Sequence, residues 1–219
     1  MSFNWEKLLS QLMQLLPAGG AVYIAYSGGL DSSVLLHAMA QLSPELEHEL
    51  HAIHADHGLQ ADSASWGDHC ERQCAALGIQ LHKVHLNLRV PPGESLEAAA
   101  RDARYQAFST ILGAGDVLLT AHHADDQVET VLLQLLRGAG VSGLAGMPAI
   151  KTWRQGWVAR PLLPVTRPEL EVYARGTKRP WMEDASKQHF RLYRNLLGQR
   201  VFRRGTPRGR RRLRDNLTP

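Results

Sequence analysis

The sequence AVYIAYSGGLDSSVLLHAMAQL at residues 21–42 decides the fold. Its apolar run AVYIAY (21–26), with β-branched and aromatic residues, is typical of a buried parallel strand. The segment SVLLHAMAQL (33–42) has the composition of a helix, and the glycine-rich turn SGGLDS connects the two. A strand, a glycine-rich turn and a helix in this order are a repeating unit of α/β proteins.

The same alternation continues along the chain. Further strands are predicted at 50–55, 79–86 and 116–121, and further helices at 62–77, 95–112, 124–137 and 167–175. A helix is also predicted at 5–16, and residues 138–165 are predicted to be an irregular excursion that ends in a short strand. Repeated strand–helix alternation predicts an α/β fold: a parallel twisted sheet with helices on both faces, similar to a Rossmann fold.

Composition narrows the class of protein. The chain has 219 residues and a mass of 24.3 kDa, with 44% hydrophobic and 21% charged residues. These values exclude a wholly disordered or collagen-like chain. No apolar run approaches the roughly 20 residues that span a bilayer, and the N-terminus lacks the features of a secretory signal. With only Cys70 and Cys74, no disulfide framework is expected, and we predict a cytoplasmic location.

The positive charge is concentrated at the C-terminus. Residues 200–219 contain eight Arg and one Asp, which gives +7, whereas residues 1–199 carry 17 basic and 20 acidic side chains, which gives −3. We therefore predict an adenylation-type domain at 1–199 and a disordered Arg-rich tail at 200–219. The main domain is mildly acidic, so the overall charge of +4 is poor evidence for nucleic-acid binding.

The turn after the first strand has the properties of a phosphate-binding loop. Two adjacent glycines leave no Cβ to block a ligand, and the N–H groups at the start of the next helix attract an anion. No Lys follows as in the Walker loop, and Asp31 stands in its place, which indicates neutralisation by a metal ion. The alternative is a tight turn that Asp31 merely caps. The predicted phosphate-binding residues are Ser27, Gly28, Gly29, Leu30, Asp31 and Ser32.

The loop and several later segments resemble the tRNA(Ile)-lysidine synthase family of N-type ATP pyrophosphatases, or PP-loop proteins. The matching segments are SGGLDSS (27–33), AIHADHGLQ (52–60), SLEAAARDARYQAF (95–108), TAHHADDQVETVLLQLLRGAGVSGLAGM (120–147), RPLLPV (160–165) and WMED (181–184). The resemblance covers about residues 18–197. It implies ATP and magnesium as cofactors, and free L-lysine and tRNA(Ile) as partners; a homodimer is one possible assembly.

A second set of candidate residues opens the helix after the fourth strand. Asp125, Asp126 and Glu129 share one side of the helix, while an apolar stripe through Val128, Val131, Leu132, Leu135 and Leu136 is expected to pack on the sheet. Acidic residues also favour a helix start regardless of function. The resemblance implies that these carboxylates receive lysine and that Asp31 and Asp126 help to hold magnesium. His122 and His123 lack the further ligands of a zinc site.

Three other groups are weaker candidates. Arg104, more than Arg101, is expected beside the nucleotide by resemblance, although either could be a solvated surface charge. The resemblance also places the segment His54–His57 near adenine and ribose. Helical spacing puts Cys70 and Cys74 on a core face.

The resemblance implies an ATP-dependent ligase, with Asp31, Arg104, Asp125, Asp126 and Glu129 as its catalytic residues. Two alternatives stay open: a tRNA-thiolating enzyme of the same superfamily, and a nucleotide-binding module with little turnover. The second is favoured by departures from the family pattern after WMED, at Lys187-Gln188 and Gly198, and by the Arg-rich tail.

Overall fold

The computed structural model describes residues 8, 12, 16–56, 63–86, 88, 90, 92–93, 95–140 and 143–183. The chain divides into two compact units, Met1–Met182 and Glu183–Pro219, and every described residue except Glu183 belongs to the first. Most of the predicted helix at 5–16 lies outside the described residues, although Leu8 and Leu12 are helical and buried. The predicted tail at 200–219 and residues 187–198 also lie outside them.

Six strands form one sheet in the order β3-β2-β1-β4-β6-β5. All neighbouring strands are parallel except β5, which pairs antiparallel with β6. The strands are β1 (Val22–Ala25), β2 (Leu50–Asp56), β3 (Gln80–His85), β4 (Val117–Leu119), β5 (Ile150–Trp153) and β6 (Gly156–Ala159). The predicted parallel α/β architecture is therefore confirmed.

Five α-helices connect or flank these strands within the described residues: α1 (Leu30–Leu42), α2 (Ser63–Ala76), α3 (Leu96–Phe108), α4 (Ala124–Leu136) and α5 (Arg167–Thr177). Side chains fix several of their starts. Ser95 Oγ accepts a hydrogen bond from the Ala98 N–H ahead of α3, and Thr166 pairs with Glu169 in a capping box at α5. None of the described helices is long and apolar enough to span a membrane.

The core has two parts, one on each face of the sheet. Val22 and Ile24 of β1 pack in a cluster that includes Leu35 and Met39 of α1, while Tyr23 and Ala25 pack in a second cluster. The second cluster contains Phe108 of α3. Because successive strand residues point to opposite faces, these contacts place helices on both sides of the sheet, as predicted.

Asp116 fixes the edge of the sheet where β1 and β4 begin. Its carboxylate accepts hydrogen bonds from the N–H groups of Ala21, at 2.8 Å, and Gly113, at 2.7 Å, and its carbonyl accepts one from Trp157. Asp116 is 9% exposed. The parallel strands end at the opposite side of the sheet, where the loops that lead to α1, α4 and α5 begin.

Two predicted boundaries are wrong. The helix predicted at 95–112 ends at Phe108, because the hydroxyls of Ser109 and Thr110 donate to backbone carbonyls in the last helical turn. The region 138–165 contains two strands rather than one, and they form a hairpin. Gly156 allows β6 to lie close to the start of β4, since a Cβ there would lie 2.3 Å from the Asp116 carbonyl oxygen.

The predicted packing of the α4 stripe on the sheet is also wrong. Val131 is half-buried, but the other stripe residues are exposed, with Val128 and Leu136 at 60%. α4 is held by its N-terminus and by Gln127, whose side-chain amide bonds both the N–H and the carbonyl of Met147 at 2.7 and 2.8 Å. The helix therefore has an apolar face that the described residues leave uncovered.

Candidate functional site

The Ser27–Ser33 loop is held by its own hydroxyl groups. Ser32 Oγ donates to the Gly29 carbonyl at 3.0 Å and accepts from the Ser27 N–H at 3.2 Å. Ser27 Oγ lies 3.0 Å from Ser32 Oγ, and it acts as the donor in this pair because the Ser32 hydrogen is already committed. Ser32 and Ser27 therefore shape the loop together, since Ser27 Oγ also accepts a hydrogen bond from the Gly29 N–H at 3.4 Å.

Hydrogen bonds to Trp66 and Met182 fix the two glycine peptides of the loop. The Ser27 carbonyl accepts a hydrogen bond from Trp66 Nε1, and the Gly28 carbonyl accepts one from the Met182 N–H at 2.9 Å. In a trans peptide the N–H points opposite to the carbonyl, so the N–H groups of Gly28 and Gly29 face the other side, where the Gly29 N–H donates to Ser27 Oγ at 3.4 Å. Trp66 and Met182 are thus part of the loop's support.

Gly28 is required by this arrangement. Its φ is +79°, and a Cβ would lie 2.8 Å from Trp66 Nε1 and 3.0 Å from Cys70 Sγ. Any other residue would strain the backbone and push α2 away from the loop. The sequence predicted that the loop needs a glycine at position 28, but it did not predict the contact with Trp66.

Three helix starts meet beside the loop. β1, β4 and β6 are neighbours in the sheet, and their carboxyl ends lead to α1, α4 and α5. Asp31 in the first turn of α1 contacts Arg167 at the start of α5, at 2.6 Å, and lies 3.9 Å from Nε2 of His123, the N-cap residue of α4. The positive ends of three helix dipoles therefore converge on one point, which favours a multiply charged anion.

His123 lies near both Asp31 and Asp126, the two carboxylates that the family resemblance implies as magnesium ligands. Its Nε2 is 3.9 Å from Asp31 and 3.5 Å from Asp126, and the residue is 3% exposed. Nδ1 is buried and has no hydrogen-bond partner among the described residues. Asp126 Oδ2 also accepts a hydrogen bond from the His123 N–H at 3.0 Å, so Asp126 caps α4 as well as facing the site.

The three predicted carboxylates of α4 are not equivalent. Asp126 and Glu129 are half-buried, and Asp125 is exposed. Asp31 and Asp126 both lie near Nε2 of His123, and the magnesium role that the resemblance implies for them stays a prediction. Among the described residues there is no cluster of three His, Cys, Asp or Glu side chains that could hold a metal without help from a ligand.

A group of basic side chains surrounds His122. Thr120 Oγ1 lies 2.8 Å from its Nδ1. Burial, and then the positive charges of Arg160, Arg101 and Arg104, lower the pKa of His122 to about 4. His122 is therefore uncharged at neutral pH, while the predicted Arg104 lies close enough to act on it.

Sequence reasoning missed the two arginines that follow β6. Arg160 is 3% exposed and donates to the Pro148 carbonyl, and Arg167 pairs with Asp31. Arg167 had a recognisable signal, because a cation in the first turn of a helix opposes the helix dipole and needs another reason to be there. Arg160 had none beyond its place in RPLLPV.

The remaining candidates have structural explanations. His54 Nδ1 bonds the Tyr26 carbonyl at 2.9 Å and ties the ends of β1 and β2 together. Cys70 and Cys74 face the core as predicted, and burial raises the pKa of each thiol to about 12. His57 lies outside the described residues.

Comparison with known proteins agrees with this geometry. The PP-loop domain family matches residues 2–204, which is most of the chain. The chain belongs to the PP-loop domain family. As a PP-loop domain it has the predicted fold, and this membership implies the use of ATP.

Curated relatives of this PP-loop domain are named tRNA(Ile)-lysidine synthase, which confirms the resemblance seen in the sequence. One from Pseudomonas syringae pathovar tomato is 48% identical over 203 residues, and one from Alkalilimnicola ehrlichii is 50% identical over 192 residues. These matches cover 91% and 88% of this chain but 45% and 43% of the relatives. The chain thus spans less than half the length of the curated relatives it matches.

A solved structure supports the PP-loop fold independently. The U34-tRNA thiolase NcsA from Methanococcus maripaludis, with its 4Fe-4S cluster, superimposes with a TM-score of 0.66 at 19% identity. The match covers 82% of this chain and 64% of the thiolase. At this identity the similarity concerns the fold alone.

Proposed function

We propose that this chain is the ATP-dependent adenylation domain of a ligase that joins lysine to the wobble cytidine of tRNA(Ile). The products would be lysidine, AMP and pyrophosphate. The observation that carries the proposal is the meeting of the starts of α1, α4 and α5 at Asp31, beside the glycine-rich loop. The identity of about half with proteins named tRNA(Ile)-lysidine synthase supports the choice of substrate.

The reaction takes place in two steps. The ring carbonyl oxygen of cytosine attacks the α-phosphorus of ATP, a P–O bond to pyrophosphate breaks, and adenylated cytidine forms. The ε-amine of lysine then attacks the ring carbon that carries this oxygen. The C–O bond breaks, AMP leaves with the oxygen, and the amine loses a proton. Adenylation is needed because cytosine is a poor electrophile and its oxygen alone is a poor leaving group.

The loop residues Ser27–Ser32 would hold the ATP phosphates. The Gly28 N–H points opposite to the carbonyl that Trp66 bonds, and the first-turn N–H groups of α1 have no carbonyl one turn earlier to bond. Asp31 and Asp126 fit a magnesium ion, because Mg²⁺ in nucleotide sites uses one or two carboxylates together with phosphate oxygens. Magnesium would supply positive charge that polarises the phosphoryl group.

Asp125, Asp126 and Glu129 would receive the lysine ammonium. Their position at the start of α4 lies next to Asp31, so the amine could reach a cytidine held over the loop. Arg104, on the adjoining α3, would contact a phosphate or the cytosine. These roles, and the partners tRNA(Ile) and free L-lysine, belong to the proposal.

The thiolating alternative has less support. Sulfur transfer needs a thiolate or a cluster ligand, and the nucleophilic form of cysteine is the thiolate. Cys70 and Cys74 are buried in the core, and burial raises the pKa of both to about 12. Both thiols are therefore protonated at neutral pH.

The deciding experiment compares AMP release from ATP in the presence of lysine and in the presence of sulfide. The substrate is tRNA(Ile) with cytidine at the wobble position, and the matched control is the same tRNA with uridine there. We expect AMP release that depends on lysine and on cytidine. Release that depends on sulfide, or that is equal with both tRNAs, would contradict the proposed function.

A further inference from the structure

Arg167 forms a salt bridge with Asp31, the aspartate of the glycine-rich loop. Its Nη1 lies 2.6 Å from both carboxylate oxygens of Asp31, and its Nε donates to Glu171 Oε1 at 3.2 Å. The Arg167 and Asp31 side chains are 27% and 22% exposed, so the pair lies at the mouth of the site and not in the core.

The helix that carries Arg167 does not need it as a cap. Thr166 and Glu169 already form a capping box, with Glu169 Oε2 accepting hydrogen bonds from the Thr166 N–H and hydroxyl at 2.8 and 2.7 Å. A cation at a helix start is also unfavourable to the dipole by several tenths of a kcal/mol. Glu171, one turn later, orients the guanidinium toward the loop. The position of Arg167 therefore does not stabilise α5, but it places a cation beside the proposed phosphate-binding loop.

The Asp31 carboxylate cannot serve two cations in its present contact. Both of its oxygens face Arg167, whereas a magnesium ion at Asp31 needs one of them. An incoming polyphosphate offers the guanidinium new acceptors, and Arg binds phosphate through two parallel hydrogen bonds. Exchange of partners would satisfy both groups at once.

We propose that Arg167 is a phosphate-binding residue that pairs with Asp31 before ATP binds and transfers to the polyphosphate when it does. The proposal rests on the proposed function of the loop. Arg167 would supply from α5 the positive side chain that the Walker loop carries as a Lys within its own sequence. The ion pair with Asp31 keeps the guanidinium positioned and stops the loop aspartate from repelling the incoming phosphates.

A double-mutant comparison separates phosphate binding from a structural ion pair. ATP and inorganic pyrophosphate are titrated, without magnesium, into the 219-residue chain and into Asp31→Asn, Arg167→Gln and the combined variant. Arg175→Gln, at the exposed end of the same helix, is the matched control. Thermal unfolding of each variant checks that it is folded, and Arg167→Lys tests whether a single charge restores part of the affinity.

In the Asp31→Asn background Arg167 keeps its contact with Glu171 but no longer pairs with a charged carboxylate of the loop. We expect Arg167→Gln to weaken both ligands there by about tenfold or more, as for a lost charged hydrogen bond. Arg167→Lys should recover part of this loss, and Arg175→Gln should change it less than twofold. A change below twofold from Arg167→Gln, with ATP still bound, would overturn the role of Arg167 alone. Absence of ATP and pyrophosphate binding by the parent chain would overturn the proposed function with it.

Discussion

Asp126 has two tasks that one substitution can separate. Its Oδ2 caps the His123 N–H, and its carboxylate faces the same imidazole nitrogen as Asp31. Asp126→Asn keeps an acceptor for the cap but removes the charge. We expect the lysine concentration needed for half-maximal AMP release to rise at least tenfold, with ATP affinity changed much less.

Asp68→Asn is the matched control for this change, because Asp68 is an exposed aspartate of α2 outside the proposed site. Equal losses of lysine and ATP binding in Asp126→Asn would indicate a magnesium ligand and not a lysine site. No loss of either would leave Asp126 as a helix cap.

His122 should make the protein sensitive to acid. Burial, together with Arg160, Arg101 and Arg104, lowers its pKa from 6.5 to about 4. The unfolded chain therefore takes up a proton between pH 6.5 and 4 that the folded chain refuses. The contribution to stability is intact above pH 6.5 and is lost as the pH falls toward 4.

The free energy of unfolding of the parent and of His122→Asn, measured from pH 7 to 4.5, tests this expectation. Removal of the imidazole should flatten the acid side by roughly 1 kcal/mol per pH unit. Parallel curves for the parent and His122→Asn would show that His122 binds its proton equally in both states.

At the scale of elements, the local sequence predicted secondary structure better than the packing of each element against its neighbours. The strand–loop–helix unit at 21–42 was recognisable because an apolar run, two glycines and a helical segment follow one another directly. The periodicity of α4 correctly predicted a helix but not its environment, since a stripe reveals an apolar face and not its partner. The β5–β6 hairpin was missed because each strand has only four residues and a short turn separates the two.

Arg167 shows why part of the site was out of reach. It lies 136 residues from Asp31 in the chain, and no local pattern links the two. Ser27–Ser32 and Asp126 were accessible because each follows directly after a predicted strand. The meeting of these segments follows from parallel topology, whereas the choice of α5 as the third helix depends on the order β1-β4-β6.

The exposed face of α4 can be tested against the core by one pair of substitutions. Leu136 is 60% exposed and Leu36 of α1 is 1% exposed, and both are helical. We expect Leu136→Ala to lower the free energy of unfolding by less than about 0.5 kcal/mol and Leu36→Ala to lower it by about 2–5 kcal/mol. Urea unfolding of both variants measures the difference. Similar costs at the two positions would show that other parts of the chain cover the face.

At the scale of the whole molecule, charge is distributed unevenly. Residues 1–199 carry a net charge of −3 and residues 200–219 one of +7. A short Arg-rich segment binds polyanions through counterion release, and contacts to phosphate alone do not select a sequence. We therefore expect the chain to bind tRNA weakly, with little preference for tRNA(Ile) and a steep loss of affinity as salt rises.

Deletion of residues 200–219 should remove most of the tRNA binding and spare the thermal stabilisation by magnesium and ATP. Filter binding at several salt concentrations, with tRNA(Ile) and an unrelated tRNA, measures the effect. Selective binding that withstands salt, or binding that survives the deletion, would instead locate the tRNA surface within residues 1–199.

Exchange of labelled pyrophosphate into ATP, with magnesium and tRNA(Ile) present, tests the central claim most directly, because exchange requires that the loop hold ATP and that adenylation be reversible. The parent chain should exchange pyrophosphate, and Asp31→Ala should lose exchange by about 100-fold or more while its far-ultraviolet circular dichroism stays unchanged. Exchange by Asp31→Ala at the parent rate would contradict the account and leave Asp31 only as the partner of Arg167 in a structural ion pair.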